Sequence, residues 1–86
     1  MNFVWLKDAW KDYMNLRYTD KKSIEKINEL LKSIERDGAM NGIGKPEQLK
    51  HNGRYSRRID KQNRLIYTID SNGNILILAC RGHYGK

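Results

Sequence analysis

The sequence predicts an α+β fold, two N-terminal helices packed on a β-sheet, and three observations predict it. Apolar residues recur at helical spacing between Asp20 and Gly38; from Arg54 onward the period shortens to that of strands; and Asn72-Gly73 separates the last two apolar runs. Helices first and strands afterwards is the order of an α+β domain. At 86 residues the chain is expected to form a single domain, 1–86. Either half alone would bury too little apolar surface to offset the entropy of ordering its backbone.

Taken in order, "NFVWL" reads as a short first strand. Asp8 is expected to cap a helix whose Ala9, Trp10, Tyr13 and Met14 share a face. Asp20 is the expected N-cap of a second helix, with Ile24, Ile27, Leu30, Leu31 and Ile34 as its core stripe and Gly38 as its stop. Gly38, Gly42 and Gly44 mark a loop within the domain. "RYSRRI", "NRLIYTI" and "NILILAC" then read as three strands.

Asn72-Gly73 predicts a two-residue type I′ turn, making the last two strands antiparallel neighbours. Counting back from that turn places Ile69 opposite Leu76, Tyr67 opposite Leu78, Leu65 opposite Cys80 and Arg64 opposite Arg81. These apolar residues would line the face under the helices. Arg64, Arg81 and His83 would lie on the other face, where two opposed guanidiniums call for an anion nearby, a carboxylate of the protein or a bound phosphate.

Composition narrows the function. The net charge is +7, and it is unevenly spread: residues 1–37 carry eight Lys or Arg against seven Asp or Glu, residues 38–86 nine against three. A polyanion, nucleic acid or an acidic protein segment, is expected to meet the C-terminal part. No apolar run approaches the roughly 20 residues of a membrane span and the N-terminus has no signal-peptide plan, so a cytoplasmic location is expected. Cys80, flanked by apolar residues, reads as a buried inert thiol. No spacing of His, Cys, Asp or Glu suggests a metal site, and no Gly-rich loop opens a helix, so neither metal nor nucleotide cofactor is expected.

Phosphate chemistry needs a cationic clamp, a base and an acid. Of the three acids beyond residue 37, Asp60 and Asp70 fall at strand ends and read as turn residues, leaving Glu47 of "GIGKPEQLK" without a structural role. The residues alone leave open whether Glu47 is a solvated loop carboxylate and His83 a surface histidine.

"KINELLKSIERDGAMNGIGKPEQLKHN", "YSRRID", "NRLIYTID" and "ILILACRGHY" together resemble the YoeB/Txe toxins, members of the RelE-like ribonucleases of bacterial toxin–antitoxin systems. The likeness runs from Val4-Trp5 to His83-Tyr84, with Asn63 where the family often has histidine. It implies a RelE-like, microbial-ribonuclease-like fold, two N-terminal helices on a twisted antiparallel sheet. It also implies ribosome-dependent cleavage of mRNA in the decoding site by attack of the ribose 2′-hydroxyl, inhibiting translation. By position, Glu47 matches the general base, His83 the general acid, Arg64 the transition-state arginine and Tyr84 the aromatic that stacks on or positions substrate. Lys50, Arg57, Arg58 and Arg81 are the expected RNA contacts. The partners implied are the ribosome with its mRNA and a YefM/Axe-like antitoxin, and a homodimer is compatible with it. A basic ribosome-binding protein that blocks translation without cutting is the alternative.

Overall fold

The computed structural model describes residues 1–50 and 53–82. Strand β1 (Phe3–Trp5) leads into helices α1 (Lys7–Thr19) and α2 (Lys21–Asp37), followed by β2 (Glu47–Gln48), β3 (Arg54–Arg58), β4 (Arg64–Ile69) and β5 (Ile75–Ala79). The five strands form one sheet in the order β1-β5-β4-β3-β2.

α2 forms as its sequence dictates. The Asp20 carboxylate accepts from the Ser23 amide at 3.1 Å and from its hydroxyl at 2.8 Å, satisfying donors that the first turn leaves unpaired. Ile27, Leu30 and Ile34 are buried, Ile24 and Leu31 partly so, and the Gly38 amide closes the helix on the Ile34 carbonyl. α1 differs from the reading: it begins at Lys7 after Leu6, with no side-chain cap, and Asp8 sits inside its first turn, where its charge favours the helix dipole. Ala9 and Leu16 turn to the core, while Trp10 stays 46% exposed and joins Trp5 and Tyr13 in an aromatic cluster.

The sheet is mixed rather than antiparallel throughout, because β1 runs parallel to β5, with Val4 opposite Leu76. Only the other three pairings are antiparallel. The two-residue strand β2 (Glu47–Gln48) carries no apolar alternation that would mark it in the sequence.

Next to the turn the β4–β5 register is one residue away from the expected one, with Ile69 facing Ile75, Thr68 facing Leu76 and Tyr67 facing Ile77; a bulge then brings Ile66 opposite Ala79, back to the expected count. The cause is the turn. The Asp70 carboxylate accepts from the amides of Asn72 and Asn74, and the Asp70 amide pairs with the Asn74 carbonyl, making a three-residue loop in which Gly73 alone takes positive φ, at 80°. Ile75 and Ile77, not Leu76 and Leu78, therefore face the helices beside Leu65 and Tyr67. The bulge restores Cys80 to the core, where burial pushes its thiol up to about 11.

Candidate active site

Glu47 lies on β2, whose Cα register sets it against Ser56 of β3, and Ser56 in turn faces Ile66 of β4. Two residues from Ile66 and so on the same face of β4, Arg64 reaches across: its Nη1 donates to Ser56 Oγ at 3.2 Å and lies 3.5 Å from Glu47 Oε1. The Arg64 side chain is 19% exposed and that of Glu47 61%, so the cation is seated while the carboxylate stays open to a substrate. The anion expected near opposed Arg64 and Arg81 is replaced by Glu47 beside Arg64 alone.

The arginine that faces Arg64 across the strands is Arg58, not Arg81. Because β5 ends at Ala79, Arg81 points elsewhere: its Nη1 is 3.9 Å from Asp12 of α1, and its side chain is 74% exposed. The Arg64 amide meets the Gly82 carbonyl at 3.2 Å instead, while the Gly82 amide donates to Asn63 Oδ1 at 2.8 Å. Gly82 is thus held at both ends beside Arg64. Asn63 is fixed for this by Asp60, whose carboxylate accepts from the amides of Gln62 and Asn63 and from Asn63 Nδ2. Burial works to raise the Asp60 carboxyl, but these donors together hold it below the usual range. Both Asp60 and Asp70 are turn residues, as read. His83 and Tyr84 follow Gly82 and lie outside the described residues.

Lys50 and Arg58 are exposed. Arg57 is not: it is fully buried, and the expectation that it contacts RNA is corrected by its own hydrogen bonds. Nε donates to Tyr67 Oη, Nη1 to Ser33 Oγ and the Ile43 carbonyl, and Nη2 to the carbonyls of Gly38 and Asn41. All five N–H donors of a guanidinium are thereby used, which a buried cation requires. Strand parity carried this signal, since Arg57 alternates with Tyr55 and Ile59 on the inward face. Ser56 carried no such signal, because a serine within a strand marks no chemistry. Among the described residues no group of three or more His, Cys, Asp or Glu could hold a metal ion.

A mixed five-stranded sheet packed with two helices is a fold shared with small toxins of known structure. RelE of Pyrococcus horikoshii, solved with RelB, shares the fold at a TM-score of 0.74 and 18% identity, over 99% of this chain and 97% of its own. The finer assignment comes from sequence: the chain belongs to the YoeB-like toxins of bacterial type II toxin–antitoxin systems, whose family model matches residues 5–84. Toxin YoeB of Escherichia coli K12 is 45% identical over 86 residues, 98% of this chain and 100% of that protein. A YoeB dimer from Staphylococcus aureus is 51% identical with a TM-score of 0.91, and a heterotetrameric YoeB–YefM complex from the same organism is 51% identical with a TM-score of 0.88, each covering 98% of both chains.

Proposed function

We propose that this toxin is a ribosome-dependent endoribonuclease that cuts mRNA in the decoding site. The observation that carries the reading is Arg64 Nη1 placed between Ser56 Oγ and Glu47 Oε1. A fixed guanidinium beside an open carboxylate is what in-line attack of a ribose 2′-hydroxyl on the adjacent phosphate requires. Glu47 takes the 2′-hydroxyl proton as the new P–O bond forms. Arg64 stabilises the charge that gathers on the phosphoryl oxygens. His83 gives a proton to the departing 5′-oxygen, leaving a 2′,3′-cyclic phosphate and a 5′-hydroxyl end.

Tyr84 stacks on or positions the message, and Lys50 and Arg58 contact its backbone. Arg57, fully buried, takes no part at the cleaved phosphate, while exposed Arg81 is a further candidate backbone contact. The chain acts in the cytoplasm, where ribosomes are, and is neutralised by a YefM-like antitoxin, as the Staphylococcus aureus complex supports. Among the described residues no helix is long and apolar enough to cross a membrane.

Cell-free translation of a defined message, with 5′ ends mapped by primer extension, tests the reading. The expected result is new ends within the decoding-site codon, reduced at least 100-fold in Glu47→Ala, Arg64→Ala and His83→Ala proteins that remain folded. Arrest with intact message in all four proteins would make this a blocking protein instead.

A further inference from the structure

Glu47 sits on a strand of two residues at the edge of the sheet, paired to β3 alone. So short an edge strand does not hold its own position. The chain that delivers it, residues 38–46, has no regular structure, and it is fixed instead from below by Arg57.

The Arg57 guanidinium collects the carbonyls of Gly38, Asn41 and Ile43 at 2.7, 2.7 and 2.9 Å. Its two neighbours complete the grip. Tyr67 Oη accepts from Arg57 Nε at 2.8 Å and donates to the Ala39 carbonyl at 2.6 Å. Ser33 Oγ accepts from Arg57 Nη1 and from the Ile43 amide, and donates to Asp37. The backbone then closes on β3, the Arg58 amide donating to the Gly44 carbonyl at 2.7 Å. At Gly42 a Cβ would collide with Ser33 Oγ and Asp37 Oδ2 and crowd Arg57 Nη1, so the loop lies directly on the guanidinium. Ser56, whose backbone faces Glu47, is the residue before Arg57 on the same strand.

From this geometry we infer that Arg57 is a positioning residue for Glu47, holding the 38–44 loop so that the carboxylate meets the 2′-hydroxyl in line. The inference rests on the proposed ribonuclease reading. A free carboxylate is a weak base for a ribose hydroxyl, so alignment must supply much of its effect, and a misplacement of about 1 Å costs on the order of 100-fold in rate.

The test is a double-mutant cycle on single-turnover cleavage by programmed ribosomes, using Arg57→Lys and Tyr67→Phe, each alone and combined with Glu47→Ala. Circular dichroism establishes that each protein is folded. Arg57→Lys is expected to lower the maximal rate at least tenfold while the half-saturating protein concentration moves less than about threefold. In the Glu47→Ala background the same change is expected to alter the rate less than about threefold, because the group it positions is gone. If Arg57→Lys fails to fold, Tyr67→Phe carries the same comparison with a loss of at least about threefold. Losses that multiply in the Glu47→Ala background, or no loss in a folded variant, overturn the assignment. A parent protein that arrests translation without cutting overturns the ribonuclease reading and this assignment together.

Discussion

Ser56 shows how much of the site depends on a residue that does no chemistry. It is fully buried, and its hydroxyl is the closer of the two acceptors of Arg64 Nη1. Removing it leaves the guanidinium with an exposed carboxylate 3.5 Å away as its remaining acceptor there. Ser56→Ala is therefore expected to cost about 1–3 kcal/mol of stability and to lower cleavage at least threefold, read by urea unfolding and by primer extension. An unchanged cleavage rate would remove Ser56 from the site. Nothing local in the sequence marks this serine as part of the site, whereas Arg57 carries a charge that points away from its true place. The residues alone show an acid without a turn role and an arginine at a strand end, the family resemblance names Glu47 and Arg64 for chemistry, and the fold brings the two within 3.5 Å. The charge of Arg57 suggests an RNA contact, whereas its place in β3 turns it inward. Parity places Arg57 on the inward face, and the carbonyls of the 38–43 loop that converge on it are what let a cation stay there.

At the scale of elements, the helices and the three long strands were legible because each carries its own period: the α2 stripe, its Asp20 cap and the strand alternation after Arg54 are local signals. Pairing is not local. Nothing in "NFVWL" names β5 as its parallel neighbour, and nothing in "PEQ" marks a two-residue strand. The hairpin fell between these cases. Asn72-Gly73 correctly marked a turn, but Asp70 decided its type by accepting two amides of the loop. One residue of loop length moved Ile75 and Ile77 onto the core face in place of Leu76 and Leu78. The two turns make different demands and can be told apart. In a type I′ turn both central residues need positive φ, whereas here only Gly73 has it. Gly73→Ala is expected to cost about 1 kcal/mol and Asn72→Ala less than about half of that, measured by chemical denaturation. Equal and large losses at both positions would restore the two-residue turn.

For the whole molecule, the uneven charge places a condition on stability. Most of the 17 Lys and Arg face solvent, while several of the 10 acids are committed to internal hydrogen bonds. The Ser23 hydroxyl and amide hold the Asp20 carboxyl below the usual carboxylate range; the Arg36 guanidinium does so for Asp37, and the Asn74 amide for Asp70. Asp60 is lowered as well, by the amides that outweigh its burial. A carboxyl whose folded pKa is depressed contributes stability that is fully present above its unfolded pKa, about 3.9, and is lost as pH falls through the lower folded value. Each of these acids closes a turn or a helix end, so protonation also releases the segments that set the register and seat Gly82. The net charge, already +7, grows over the same range and adds self-repulsion. The melting temperature is therefore expected to hold between about pH 7 and 5 and to fall steeply below about pH 4. Asp20→Asn, which keeps a capping oxygen without its charge, should lower the plateau by a few degrees and make the fall shallower. A plateau that persisted to pH 2, or an Asp20→Asn profile parallel to the parent's, would show that these carboxylates hold their turns without contributing to the pH dependence.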